Sequence, residues 1–350
     1  MKASSIETPI GTQTTTCMKY NAHPESLTHR DAHIAPDGLL PEARRAWEDA
    51  HIWKIFRHYS RTFSFATRLL PAPMRLPIAT LYYFCRTIDN LADHARTPAE
   101  RDAALKKLAS ARRALDRSLS GHPPPDSLMW RRLAEIHTRY TLHTPPLHEL
   151  IDGAEWDLRG IHIRDEADLI RYADLVAGSI GAMMLPFLID DRADLTRLET
   201  PARALGIAMQ ITNILRDVGE DARELQRIYL PESLRLAHGC PDIAPDGAGG
   251  IPEGYSELME ALMMLAEQYF VEGIAGIGSL NRSVRSGIGA AARMYREILN
   301  EIRARGYDNL SARAYTSGAK KLQLVFFDTY ERRKRRLLTR RAAAPARLPA

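Results

Sequence analysis

With 350 residues, 45% of them hydrophobic, the chain can bury a sizeable core in one large domain or two, and a disordered protein is excluded. The net charge of +5 is not spread out: the last twenty residues, ERRKRRLLTRRAAAPARLPA, hold eight Arg or Lys against one Glu and leave −2 on the first 330, so no broad basic face exists for nucleic acid. Cys17, Cys85 and Cys240 stand far apart with no Cys-x-x-Cys, which argues against a disulfide framework or a zinc site and fits a reducing, cytoplasmic setting.

Residues 1–45 are rich in Thr, His, Pro and Ser without an apolar period, and read as a flexible N-terminal arm without a signal peptide. No run of roughly 18 or more apolar residues marks a membrane span. From Trp47 onward the apolar spacing is helical and alternating β-branched runs are missing, which predicts an all-α protein. Breaks are expected at LLPAPMRLP (69–77), SGHPPPD (120–126), HTPP (143–146) and the Gly- and Pro-rich 238–255. None separates a second domain and no repeat recurs, so residues 46–330 are expected to form one bundle of roughly eight to ten helices, followed by a basic tail, 331–350.

In YYFCRTIDNLADHA (82–95), Asp89 and Asp93 fall one turn apart on an otherwise apolar helix, with Arg86 nearby. Two readings stand. Either this is a solvated edge with Arg86 as surface partner, or the like charges share a hard cation such as Mg²⁺. In QITNILRDVGEDARELQRIYLP (210–231), Asn213, Asp217 and Asp221 repeat the spacing, beside Gln210 and Arg216. A helix cap at Asn213 or an exposed stripe pairing Asp217 with Arg216 or Arg223 are the plainer alternatives, although apolar residues running through the position disfavour a cap. If the two acidic helices face each other, they form a cage for divalent cations bridging a diphosphate, with Arg86 and Arg216 on its oxygens. A bound diphosphate leaves readily, and an apolar pocket would shield the resulting carbocation. YADLVAGSIGAMMLPFL (172–188), with Met183, Met184 and Phe187, and MYREILNEI (294–302), with Tyr295, offer wall residues; Gly178 and Gly181 suit helix packing as well as a channel.

These segments, together with SRTFSFATRLLP, ELIDGAEWDL, DLVAGSIGAMMLP and YREILNEIRARGYDNLSARAYTSGAKK, follow in order from about Tyr59 to Leu324, and the chain resembles the squalene and phytoene synthase family. The resemblance implies an isoprenoid-synthase-type bundle with a central active-site cavity. It implies that Asp89, Asp93, Asn213, Asp217 and Asp221 bind Mg²⁺, or Mn²⁺ in its place, and so hold two prenyl diphosphates. Arg86, Arg216, Tyr295 and Arg313 would contact diphosphate oxygens, Tyr172 would line the reaction pocket near the departing group, and Ser60, Arg61 and Ser64 would belong to a flap.

The implied reaction is head-to-head coupling of two geranylgeranyl diphosphates through prephytoene diphosphate, without NADPH. The alternatives are a squalene- or dehydrosqualene-forming enzyme acting on two farnesyl diphosphates and, more distantly, a non-catalytic helical assembly factor. Asn90 and Asp174 depart from the family pattern, and the pocket wall at Asp174 is left open by it. The tail's RRKRRLLTRR is expected either to touch an anionic membrane surface or to be merely solvated.

Overall fold

The computed structural model describes residues 39–93, 95, 97–160, 162–243 and 250–313, and every regular element among them is helical. The N-terminal residues 1–38 and everything beyond 313, including the basic tail and the AYTSGAKK segment, lie outside the described residues, as do the side chains of Arg61 and Asp93. Among the described residues no helix is long and apolar enough to cross a membrane.

Twelve α-helices follow in order among the described residues: α1 (Pro41–Tyr59), α2 (Arg61–Thr67), α3 (Ala72–Asp93), α4 (Pro98–Leu119), α5 (Leu128–Tyr140), α6 (Pro145–Arg159), α7 (Glu166–Ala173), α8 (Ser179–Leu188), α9 (Asp194–Leu225), α10 (Glu232–Ala237), α11 (Tyr255–Gly276) and α12 (Arg285–Ala304). A π-helical turn, Asp174–Gly178, joins α7 to α8. The expected number was smaller because α2, α7 and α10, with 7, 8 and 6 residues, are too short to display an apolar period.

Local chemistry explains several boundaries. Ser60 caps α2 by accepting from the Phe63 N–H, and α4 opens on a reciprocal Thr97–Glu100 capping box with Pro98 at its first position. The proline-rich 69–77 stretch is a shorter break than its composition suggested, since α3 opens at Ala72 and runs through Pro77. Proline at 77 cannot donate to the Pro73 carbonyl one turn earlier, and the Tyr140 hydroxyl donates to it instead, at 3.4 Å.

One apolar cluster is organised around α3 with α1, α4, α5 and α6; a second surrounds α9 with α7, α11 and α12, and α8 lies between them. α9 is the central element. It packs against α11, α8, α12, α7 and the π-helical turn, and every residue from Gly206 to Gly219 is buried. The close approach needs glycine: a Cβ on Gly206 would stand 2.2 Å from the Ala177 carbonyl oxygen.

Candidate active site

Between α2, α3, α8, α9, α11 and α12 lies a cavity. Its wall is nearly all apolar and contains many small residues, including Gly181, Ala202, Gly206, Gly273, Gly276 and Ala291, with Gln210 and Asn213 of α9 among its few polar groups. A second, smaller space shares Phe63, Thr67, Ile78, Ile180 and Met184 with it and reaches Tyr82 and Cys85 of α3. Of the sequence-predicted wall residues Met184 lines both spaces, whereas Met183 and Phe187 point into the core. Gly178 and Gly181 are packing residues, and Gly181 also opens the cavity; a Cβ there would meet the Ala202 carbonyl oxygen at 2.1 Å.

Asn213 stands in the cavity wall, and Asp217 and Asp221 follow one and two turns along the same face of α9. All three are at least nine-tenths buried, at 6%, 4% and 6% exposure. The exposed-stripe and cap alternatives are therefore overturned, the latter also because α9 begins at Asp194, far upstream. Buried carboxylates need compensation. Asp217 obtains it from two guanidinium groups: Arg216 donates to both oxygens at 2.8 and 2.7 Å, and Arg313 approaches the same two oxygens at 2.7 and 3.0 Å. Arg313 also reaches Glu220 at 3.0 Å. Burial pushes the Glu220 carboxyl up and the Asp217 charge adds to this, against the pull of Arg313.

Among the described residues the Asn213 Oδ1 is a buried acceptor with no hydrogen-bond partner, while its amide nitrogen donates to Gln210 at 3.4 Å. An unfilled amide oxygen followed by two carboxylates on one face is a hard, all-oxygen donor set, and it fits a divalent cation. Among the described residues no three His, Cys, Asp or Glu side chains converge as a metal site. That set excludes the Asn213 amide, and the Asp93 side chain is not described.

Arg313 is delivered by a loop, residues 305–313, that docks on α9. The Asn309 side chain donates to the Leu215 carbonyl, and the Asn309 carbonyl accepts from the Gly219 N–H at 3.2 Å. The loop thus inserts itself at the one-turn step between Leu215 and Gly219. The Tyr255 hydroxyl donates to the Asn309 Oδ1 at 2.6 Å, and Arg223 holds the Leu310 carbonyl, also at 2.6 Å. Only glycine allows this, because a Cβ at 219 would lie 2.0 Å from the Leu310 carbonyl oxygen. Sequence reasoning passed over Asn309 and Gly219; the one available signal was a glycine interrupting a helical run between two acidic residues.

The remaining sequence-predicted site residues are distributed as follows. Arg86, buried on α3, lies over the Tyr59 ring at 4.5 Å. Asp89 is half-buried on the same helix. Ser60 and Ser64 are buried, Ser60 serving as the α2 cap. Tyr295 is buried with its ring 5.4 Å from Phe63, so it braces the cavity wall at α2. One expectation is corrected. Tyr172 is not among the residues lining the cavity: it is fully buried between Tyr229 and Trp156, and its hydroxyl lies 3.1 and 3.0 Å from the two oxygens of Asp157. Burial, and then the Asp157 charge, raises its pKa well above the tyrosine range, so the group stays a phenol. At Asp174, where the family pattern left the pocket wall open, the side chain pairs with Arg203 at 3.1 Å, within a group that also holds Glu149 and Glu199.

A family model described as squalene/phytoene synthase matches residues 56–320. Phytoene synthase 3, chloroplastic, from Zea mays is 33% identical over 299 residues, covering 85% of this chain and 68% of that protein. Phytoene synthase 1, chloroplastic, from Arabidopsis thaliana is 32% identical over 297 residues, covering 83% and 69%. A crystal structure of a dehydrosqualene synthase in complex with ligand matches with a TM-score of 0.70 at 28% identity, over 83% of this chain and 98% of its own. A squalene synthase from Alicyclobacillus acidocaldarius shares the fold, with a TM-score of 0.65 at 22% identity over 77% of this chain and 97% of its own.

Replacing Asn309 by Ala should strand the Tyr255 hydroxyl and the Leu215 carbonyl and lower the unfolding free energy by about 1–3 kcal/mol for each, read from urea denaturation. An unchanged midpoint would show that the loop does not hold α9.

Proposed function

Because the chain belongs to the squalene/phytoene synthase family, we propose that it couples two geranylgeranyl diphosphates head to head, through prephytoene diphosphate, to phytoene with release of diphosphate. The observation that carries this reading is the buried Asn213–Asp217–Asp221 face running directly into an apolar cavity. Charge for a diphosphate and shelter for prenyl chains adjoin on one helix.

Mg²⁺, with Mn²⁺ as substitute, would be held by Asn213, Asp217, Asp221 and Asp89, together with Asp93. Bound there it would neutralise diphosphate charge and improve the leaving group. The protein's own residues do the rest. Arg216 and Arg313 already stand as paired guanidinium forks at Asp217, and exchanging that carboxylate for diphosphate oxygens would keep both cations compensated. Arg86 and Tyr295 stand in the diphosphate-contact roles that the family resemblance gives them. The apolar wall excludes water from the allylic cation that remains after departure. Attack by the double bond of the second substrate, loss of the second diphosphate and loss of a proton complete the sequence, with no reductant.

A second reading, coupling of two farnesyl diphosphates, is favoured by the likeness to a dehydrosqualene synthase. The small wall residues favour the longer chain, since Gly181, Gly273, Gly276 and Ala291 leave its path open. The basic tail would add a peripheral contact with anionic lipid, each Lys or Arg contributing on the order of 1 kcal/mol.

Incubation with Mg²⁺ and each diphosphate separately, with and without NADPH, should yield a C40 hydrocarbon from geranylgeranyl diphosphate alone, identified by mass; product only in the farnesyl arm would overturn the chain length. Asn213→Ala should cut turnover by roughly 10–100-fold or more with little change in melting temperature, because the lost oxygen has no hydrogen-bond partner among the described residues and the lost nitrogen gives up only a long, 3.4 Å bond to Gln210. Full activity in that variant would sink the cage. Deletion of 332–350 should abolish sedimentation with anionic liposomes while leaving turnover in detergent intact, and unchanged sedimentation would remove the membrane contact.

A further inference from the structure

We propose that Asp157, Tyr172, Arg227 and Tyr229 form a buried polar buckle whose task is to position the metal-binding end of α9 against the cavity wall. The inference rests on α9 being the metal helix, as read above.

The buckle ties together three elements. Asp157 lies on the last turns of α6, 8% exposed. Its carboxylate takes the Tyr172 hydroxyl from the end of α7 and the Tyr229 hydroxyl, the latter at 2.9 Å. Arg227 reaches the same carboxylate at 3.3 Å, donates to the Asp157 carbonyl at 3.0 Å and donates to the Tyr229 hydroxyl at 3.2 Å. The Tyr172 and Tyr229 rings stack with centroids 5.1 Å apart and planes 19° from parallel.

Each end of this cluster leads to the site. Tyr172 is followed within two residues by the π-helical turn, whose Ala177 lines the cavity. Arg227 and Tyr229 leave α9 through Gln226, which adopts a left-handed conformation at φ 55° and ends the helix. The N–H groups of Gln226 and Arg227 both donate to the carbonyl of Asp221, the last carboxylate-bearing residue of the acidic face. The orientation of Asp221 is thereby fixed to Asp157, and through Tyr172 to the cavity wall. An apolar cluster of equal volume would hold the helices at least as firmly, since buried ion pairs are seldom the most stabilising option. Directional bonds instead set an angle, which a ligand face requires and a packed core does not. The RIYLP segment so gains a role: it is the strap between the metal helix and the buckle.

The test uses the full chain and three conservative variants, Asp157→Asn, Tyr172→Phe and Tyr229→Phe. The last two each remove one hydroxyl and leave the packing, so they report even if Asp157→Asn fails to fold. Mn²⁺ binding is followed by electron paramagnetic resonance with inorganic diphosphate present, alongside kcat, KM and melting temperature. The expected result is an Mn²⁺ dissociation constant raised about 10-fold in Tyr172→Phe and Tyr229→Phe alike, with kcat reduced and KM for the prenyl diphosphate nearly unchanged. Wild-type Mn²⁺ affinity in both variants would overturn the buckle while leaving the metal helix standing, and loss of turnover in Tyr172→Phe alone would make Tyr172 a catalytic residue instead. If the wild-type protein binds no Mn²⁺ with diphosphate, the metal reading of α9 fails and the buckle falls with it.

Discussion

A carboxylate buried on a helix must be compensated by a nearby cation, and this constraint shapes the molecule. α9 runs through the middle of the fold with no wet side between Gly206 and Gly219, yet it carries Asp217 there and Asp221 just beyond. The uncompensated cost of one such charge would be several kcal/mol. Arg216 and Arg313 meet it from two directions, one from the same helix and one from a loop far along the chain.

Bringing that loop in requires the backbone of α9 to be approached at van der Waals distance. Gly219 provides the gap, Asn309 the register and Tyr255 of α11 the support. The same device recurs where Gly206 meets the π-helical turn, so one glycine contact sits within the acidic face and one ahead of it. Along this stretch the helix changes character, from the cavity-lining Met209 and Gln210 to the charged Asp217 and Asp221. A substrate with an ionic head and a long apolar chain matches that gradient along one axis.

Much of this was legible in the sequence. The all-α class followed from apolar spacing, and the shared face of Asn213, Asp217 and Asp221 followed from a period of 3.6 residues. Contacts within one helix obey that period. Contacts between distant segments do not, which is why the Arg313 clamp, the Asn309 insertion and the Asp157 cluster had no local signal. Tyr172 shows the difference well: the family resemblance implied a pocket wall, but the partner that holds its hydroxyl sits on another helix. Asp174 likewise is claimed by Arg203, 29 residues on. Short helices and the π-helical turn were missed because a turn or two of chain carries no readable period.

The distance in sequence between the two halves of the Asp217 clamp has a consequence for biosynthesis. Arg313 lies 96 residues after Asp217, so at ordinary elongation rates it follows roughly 5–20 s later. For that interval α9 has Arg216 but lacks the second guanidinium, and the loop that would seal Gly219 has not been made. The layer built on α3 can condense first, whereas the acidic helix has reason to stay hydrated until Arg313 has been made. Closure of the charged face thus waits for a residue made 96 positions after the carboxylate that it clamps.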